Sequence, residues 1–263
     1  MGIYMTGPAL GTITSLSLTN SVLLPWLNQN WRHVFFVFAI VAIGCAALWI
    51  LINSTSASKR HNATQRNAGA LNVFIQLLGI PLVIIVLIMS IGIFAINHGL
   101  GNWLPEILRD NGMSAIKAGY WAAIPTLFGI AGSLLIPRLA TKNNRFYLLI
   151  ALFCCALVAI VLIRTVDGPL LAGGLMIQGI ARSSMMTIAI LILMETPAVG
   201  ADNMGVAGGL FFTAAEIGGV LGPVSIGIIA DNTGGFNAAL EMLAYICLGL
   251  IALAVIAKRM DAR

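Results

Sequence analysis

Long uninterrupted runs of apolar residues alternate with short polar segments along almost the whole chain. A helix needs about 20 consecutive apolar residues to cross the hydrocarbon core of a bilayer. The predicted membrane spans are residues 2–24, 33–52, 73–104, 118–137, 146–164, 169–194, 204–230 and 237–257. Because these runs are continuous rather than short and alternating, they predict an all-α polytopic membrane protein of about eight transmembrane helices and exclude a closed barrel of strands.

The third predicted span is too long for one straight crossing. We expect Pro81 and the segment NHGLGNWLP, residues 97–105, to mark its ends. Proline removes a backbone hydrogen bond and glycine weakens a helix. A bend or partial unwinding is therefore expected near Gly99 and Gly101.

The longest polar stretch, NSTSASKRHNATQRNAGA, occupies residues 53–70. Its Ser, Thr, Asn, Lys and Arg residues cannot build a core, so it is interpreted as a flexible linker. It separates two predicted spans from six.

Composition supports the membrane assignment, since 59% of the residues are hydrophobic and only 9% are charged, whereas soluble domains carry about 25% charged residues. The net charge of +5 comes from basic loops rather than from one basic face, so no nucleic-acid partner is expected. One set of loops and the C-terminal tail contain Lys59, Arg60, Arg66, Arg138, Lys142, Arg145, Lys258, Arg259 and Arg263. The opposite set contains Arg32, Arg109, Lys117 and Arg164. The positive-inside rule therefore predicts a multi-pass protein of the cell membrane with a cytoplasmic C-terminus.

Two spans share a Gly-Pro pattern. GPALG begins at Gly7 and Pro8 and ends at Gly11, and GPVSIG begins at Gly222 and Pro223. Glycine allows helices to approach closely, and proline bends the helix axis. Together with Gly218, these residues are predicted to serve helix packing and gating. Their positions on either side of the linker favour a duplicated architecture.

These segments resemble the major facilitator superfamily of transporters. GPALG is similar to the Gly-Pro signature of the fifth helix of that family, and WRHVFFVFAI is similar to the start of its sixth helix. The run LMETPAVGADNMGVAGGLFFTAAEIGGVLGPVSIGIIADNTGGF, together with NHGLGNWLPEIL, resembles the cyanate- and nitrate-permease-like branch.

The resemblance implies helices five to twelve of such a transporter, with the first four helices missing. Residues 1–52 are then the last two helices of an N-terminal half, and residues 53–71 are a basic cytoplasmic linker. Residues 72–258 form the C-terminal six-helix bundle, and residues 259–263 form a cytoplasmic tail. Because the substrate path of the family lies between two six-helix halves, the chain is expected to be an incomplete piece of a transporter.

Two ionisable residues are predicted to lie in the middle of apolar spans. Arg182 is halfway along the 169–194 span, and Glu216 is near the middle of the 204–230 span. A charge at this depth costs several kcal/mol without a partner and indicates function by default. One interpretation is a structural ion pair between the two helices. A second is that Arg182 faces a cavity and binds an anion, with Glu216 as competitor, proton carrier or orienting group. A pair that opens to admit substrate satisfies both, and a third interpretation is an arginine that snorkels toward the membrane surface.

Three further polar residues are candidates for the substrate site. Gln178 precedes Arg182 by one helical turn and can share its face, either as substrate contact or as a hydrogen bond between helices. Asn97 and His98 lie next to Gly99 in the third span. His98 either serves proton coupling or is an interfacial histidine bonded to a freed backbone carbonyl.

The predicted function is secondary active transport of a small solute by alternating access, with proton coupling or exchange. The solute is expected to be an anion or an organic acid, and the lipid bilayer is the surrounding medium. No metal cluster, cofactor motif or catalytic arrangement is present in the sequence, so neither a cofactor nor an enzyme activity is expected. The alternative is a non-transporting membrane scaffold or sensor that binds a ligand or partner through the half-site.

Overall fold

A computed structural model describes residues 11, 18–28, 30–54, 70–164, 168–197, 199–200 and 203–261. Within these residues all regular structure is helical, and seven helices are long and apolar enough to cross a membrane. The predicted all-α polytopic membrane fold is confirmed. The chain divides into two compact units, Tyr4–Asn72 and a unit that contains Val73–Arg263.

The unit Tyr4–Asn72 contains one long described helix, α1 (Trp31–Asn53). The side chain of Asn30 caps its first turn by accepting a hydrogen bond of 3.1 Å from the backbone N–H of Arg32, as an N-cap residue does. The shorter helical pieces before it are Thr19–Leu23, which is π-helical, and Leu24–Trp26. Most of the first predicted span, 2–24, falls outside the described residues and stays a prediction.

The second unit is a helical bundle. In chain order the helices are α2 (Ala70–Leu78), α3 (Pro81–Asp110), α4 (Ala115–Leu139), α5 (Arg145–Ile163), α6 (Pro169–Met194), α7 (Met204–Thr233) and α8 (Asn237–Asp261). α3 and α6 are the most buried of them. α3 contacts α7, α8, α6 and α4, whereas the consecutive helices α6 and α7 scarcely touch each other. α3 therefore lies at the centre of the bundle.

α3 begins at Pro81, as predicted, because proline suits the first position of a helix. The partial unwinding predicted as one alternative near Gly99 and Gly101 is wrong, since α3 continues without a break to Asp110; the other alternative, a bend, stays a prediction. The two glycines instead make room for neighbouring helices. A Cβ atom at Gly99 would lie 2.8 Å from Cδ1 of Ile226 in α7.

Glycines on α7 bring its backbone directly against α3. A Cβ atom at Gly218 would lie 2.7 Å from the carbonyl carbon of Ile91, and one at Gly222 would lie 2.7 Å from Cα of Ala95. Apolar helices gain little from leaving an equally apolar lipid, so such close packing is a main source of their association. Gly218 and Gly222 fix the spacing of α3 and α7.

A buried ion cluster joins the ends of three helices. Arg145, the first residue of α5, is 1% exposed, and its Nη1 donates to Glu195. Its Nη2 donates to both carboxylate oxygens of Asp261, at 2.9 and 3.0 Å. Glu195 is the C-cap residue of α6 and Asp261 is the last residue of α8, and the dipole of a helix favours a cation at such an end. The basic residue that the sequence assigns to a loop thus ties α5, α6 and α8 together.

Candidate functional site

One exposed stripe of α3 lies between the surfaces that α3 presents to α6 and to α7. His98 and Asn102 on this stripe are exposed. Gly99 contacts α7, whereas Asn97 and Gly101 contact α6. With about 100° between successive residues of a helix, His98 and Asn102 fall between these two contact faces. Since α6 and α7 scarcely touch, the stripe forms the floor of a groove whose walls are α6 and α7.

Arg182 lies on the α6 wall, at the middle of that helix, and is half-buried. The Nδ2 atom of Asn97 donates a hydrogen bond of 3.3 Å to the backbone carbonyl of Arg182. The end of the guanidinium lies against Gly101, where Nη2 is 2.8 Å and Cζ 3.1 Å from the position that a Cβ atom would take. Among the described residues, no carboxylate pairs with Arg182 and no acceptor bonds its guanidinium.

Glu216 lies on the α7 wall and is exposed. Its Oε2 is 2.9 Å from the position of a Cβ atom at Gly219, and Cδ2 of His98 is 3.7 Å from that same position. The imidazole of His98 stacks on the ring of Phe94, with centroids 5.4 Å apart. Gly219 therefore allows the carboxylate of α7 and the imidazole of α3 to approach each other.

The two predicted mid-membrane charges thus border one groove without forming a salt bridge. Arg182 is directed to Gly101 of α3, and Glu216 is directed to the vicinity of Gly219 and His98. The reason is the packing order, because α3 lies between the two helices that follow each other in sequence. Within the described residues no group of His, Cys, Asp or Glu could hold a metal ion.

Gln178 and Asn97 contribute buried polar atoms near Arg182. Gln178 is 2% exposed, and both Nε2 and Oε1 of its amide lack a hydrogen-bond partner among the described residues. The Oδ1 atom of Asn97 is buried and unpartnered in the same way. Buried polar groups are nearly always hydrogen-bonded. These amides therefore have hydrogen-bonding capacity that the described residues do not use.

The Gly-Pro segment of α7 contains a contact that the sequence does not reveal. The indole Nε1 of Trp103 donates a hydrogen bond of 2.9 Å to the carbonyl of Pro223. Its ring lies over Gly227, with Cζ2 3.0 Å from the position of a Cβ atom there. The Gly-Pro pattern that contains Pro223 and Gly227 indicates close helix packing, but it does not identify Trp103 as the residue that packs there.

The corresponding segment near the N-terminus carries less information. Gly7 and Pro8 lie outside the described residues, so their packing and gating roles stay predictions. Gly11 has no heavy atom within 4 Å of the position of a Cβ atom.

Three relatives show which proteins the chain is similar to. It is 25% identical to the probable galactarate/D-glucarate transporter GudP of Escherichia coli (strain K12), over 89% of this chain and 61% of the relative. It is 25% identical to a putative tartrate transporter of Agrobacterium vitis, over 92% of this chain and 60% of the relative. It is 29% identical to a quinolone resistance transporter of Acinetobacter baumannii, over 62% of this chain and 38% of the relative.

The chain therefore spans less than two thirds of the length of these relatives. All three are named as transporters rather than enzymes. The family model of the Major Facilitator Superfamily matches residues 1–223, which include α1 and most of the helices that build the groove. With its multi-pass helical fold and a groove lined by mid-membrane charges, the chain belongs to the major facilitator superfamily.

Proposed function

We propose that the chain is part of a secondary active transporter of organic acids, in which Arg182 binds a carboxylate of the substrate. The observation that carries this proposal is an unpaired, half-buried guanidinium at the middle of a transmembrane helix. Such a charge is expensive in a membrane unless it acquires a partner. A planar fork of N–H donors matches a carboxylate, and the groove leaves this fork without an acidic side chain.

The names of the relatives support a carboxylate rather than an inorganic anion. Galactarate, D-glucarate and tartrate, which appear in those names, are hydroxylated dicarboxylates. Arg182 would take one carboxylate, and the unpartnered amides of Gln178 and Asn97 would accept or donate hydrogen bonds to hydroxyl groups. The cyanate and nitrate permeases suggested by sequence motifs transport smaller ions that need no such amides, so we favour the organic acids.

Charge balance supports proton coupling. Among the described residues that line the groove, Arg182 is a cation, and Glu216, next to His98, is an exposed carboxylate. An incoming anion is repelled by a charged Glu216, and a proton on Glu216 removes that repulsion. Binding of anion and proton therefore favour each other, which is the requirement for symport. We place the protein in the cell membrane with its C-terminus in the cytoplasm, following the distribution of basic loops.

Ligand binding tests the role of Arg182. The chain is purified in detergent, and its dissociation constant for D-glucarate and for tartrate is measured by titration calorimetry. Arg182→Gln should weaken binding by about 10- to 100-fold, because a hydrogen bond to a charged group contributes about 1.5–3 kcal/mol. Arg182→Lys should give an intermediate value, since lysine keeps the charge but loses the fork.

The matched control is Arg164→Gln, which removes an exposed arginine that pairs with Glu241 at 3.1 Å. This variant should bind like the wild type. Unchanged binding by Arg182→Gln contradicts the proposal. Uptake of labelled acid into proteoliposomes by the whole transporter of which the chain is part then separates transport from the scaffold or sensor alternative, in which binding persists and uptake is absent.

A further inference from the structure

Gly101 differs from Gly218 and Gly222 in what it contacts. At Gly218 and Gly222 a Cβ atom would collide with the backbone of α3, so those glycines set the distance between helices. At Gly101 the three nearest heavy atoms all belong to the guanidinium of Arg182: Nη2 at 2.8 Å, Cζ at 3.1 Å and Nη1 at 3.2 Å. The space left by the missing side chain is occupied by a charged group.

α3 holds Arg182 at both ends. One helical turn before Gly101, Asn97 donates its hydrogen bond to the backbone carbonyl of Arg182. The backbone of the arginine is fixed by Asn97, and the far end of its side chain rests on Gly101. These two contacts define where the fork of donors lies in the groove, although neither residue carries a charge.

We propose that Gly101 is a positioning residue for Arg182, and that its lack of a side chain sets the affinity of the groove for carboxylates. The proposal rests on the function proposed above, in which Arg182 is the carboxylate ligand. Gly101 acts only through the guanidinium and need not touch the substrate.

A single methyl group is enough to test this. Non-bonded carbon and nitrogen atoms prefer separations of about 3.5–4.0 Å, so Gly101→Ala forces the guanidinium to move. The displaced atoms are the end of a flexible side chain rather than backbone, so the helices can keep their spacing. Alanine also has a higher helix propensity than glycine. Gly101→Ala should therefore fold like the wild type while the donor fork leaves its position.

The experiment measures the dissociation constant for tartrate and the thermal unfolding midpoint for a small set of variants. Gly101→Ala, Gly101→Ser and Gly101→Leu form a series of increasing size. Gly173→Ala is the matched control, since Gly173 lies on α6 and has no heavy atom within 4 Å of a Cβ position. Arg182→Gln tests the ligand itself, and Arg182→Lys provides a second background for Gly101→Ala.

We expect Gly101→Ala to weaken tartrate binding on the order of tenfold, as for the loss of one charge-assisted hydrogen bond. Larger side chains should weaken it further, with the unfolding midpoint unchanged for Gly101→Ala. In the Arg182→Lys background the same substitution should have little effect, because the compact ammonium has no fork to displace. The Gly173→Ala control should bind like the wild type.

Two results overturn the proposal. One is wild-type affinity for tartrate in Gly101→Ala while Arg182→Gln loses binding. This result would show that Arg182 binds the carboxylate but that Gly101 does not position its guanidinium. The other is an equal loss in Gly101→Ala whether residue 182 is Arg or Lys, which shows an effect on the fold. Wild-type affinity in Arg182→Gln instead contradicts the proposed function itself, so the two failures are distinguishable.

Discussion

The indole N–H of Trp103 donates a hydrogen bond of 2.9 Å to the backbone carbonyl of Pro223, joining α3 to α7 beside the internal proline of α7. Proline has no N–H of its own and cannot bond the carbonyl four residues earlier. α7 is weakened at this point, and the large ring of Trp103, which packs over Gly227, supports it from outside. The contact lies on the side of α3 opposite to Arg182 and so braces the floor of the groove.

Replacing Trp103 by phenylalanine tests this support. Trp103→Phe should lower the free energy of unfolding by about 1–2 kcal/mol, the upper range for a hydrogen bond between transmembrane helices, seen as a lower thermal unfolding midpoint in detergent. The control is Trp121→Phe in α4, because the indole of Trp121 has no hydrogen-bond partner among the described residues. Equal midpoints for the two variants would show that the bond to Pro223 contributes nothing.

The spacing of α3 and α7 predicts a steric effect at Gly222. A Cβ atom there would lie 2.7 Å from Cα of Ala95, so Gly222→Ala must push the two helices apart. Overpacking of this kind costs about 1–3 kcal/mol, and the unfolding midpoint should fall. Gly209→Ala on the same helix meets open space and should leave the midpoint unchanged or raise it. An equal fall in both variants would contradict the contact with α3 as the cause.

The ion cluster around Arg145 predicts that Arg145→Ala lowers the free energy of unfolding much more than Arg164→Ala does. Arg145→Ala leaves Glu195 and Asp261 without their common cation, and breaking a buried ion pair costs about 3–5 kcal/mol. Because both acids are partly exposed, we expect the lower end of that range by denaturant unfolding. Arg164→Ala breaks an exposed pair with Glu241 and should cost at most about 1 kcal/mol. Similar losses of unfolding free energy in the two variants would show that the ion cluster does not stabilise the fold.

The sequence predicts the helices well because the membrane restricts the choices. Backbone groups in lipid must be bonded internally, so a long apolar run becomes a helix almost regardless of detail. Proline and glycine then mark ends, as Pro81 and Pro169 do at helix starts and Gly234, with φ 73°, does at the end of α7. Inside α3 a glycine does not mark a helix end, because Gly99 provides room for α7 to pack closely and the helix continues through it.

The candidate site could be predicted only in part. Mid-span depth identified Arg182 and Glu216 from the sequence, because a charge in an apolar run is conspicuous. Their partners depend on which helices are neighbours, and that order is set by close packing at Gly218 and Gly222 rather than by sequence separation. Gly101 was predicted only as a point of bending or unwinding, because its contact with the guanidinium exists only where α3 meets α6.

Glu216 provides the test of proton coupling. Glu216→Gln keeps the shape of the side chain and removes both its charge and its capacity to release a proton. In proteoliposomes that contain the whole transporter, accumulation of tartrate driven by an inwardly directed proton gradient should be lost. Exchange of internal for external tartrate should continue, since exchange needs no net proton movement. Affinity for tartrate at neutral pH should rise by about fivefold, because the removed repulsion is on the order of 1 kcal/mol.

Glu241→Gln, which alters an exposed pair with Arg164, is the control and should accumulate tartrate normally. If gradient-driven accumulation survives in Glu216→Gln but is lost in His98→Asn, the coupled proton is carried by His98 instead of Glu216. If accumulation survives in both variants, proton coupling through these two residues is contradicted.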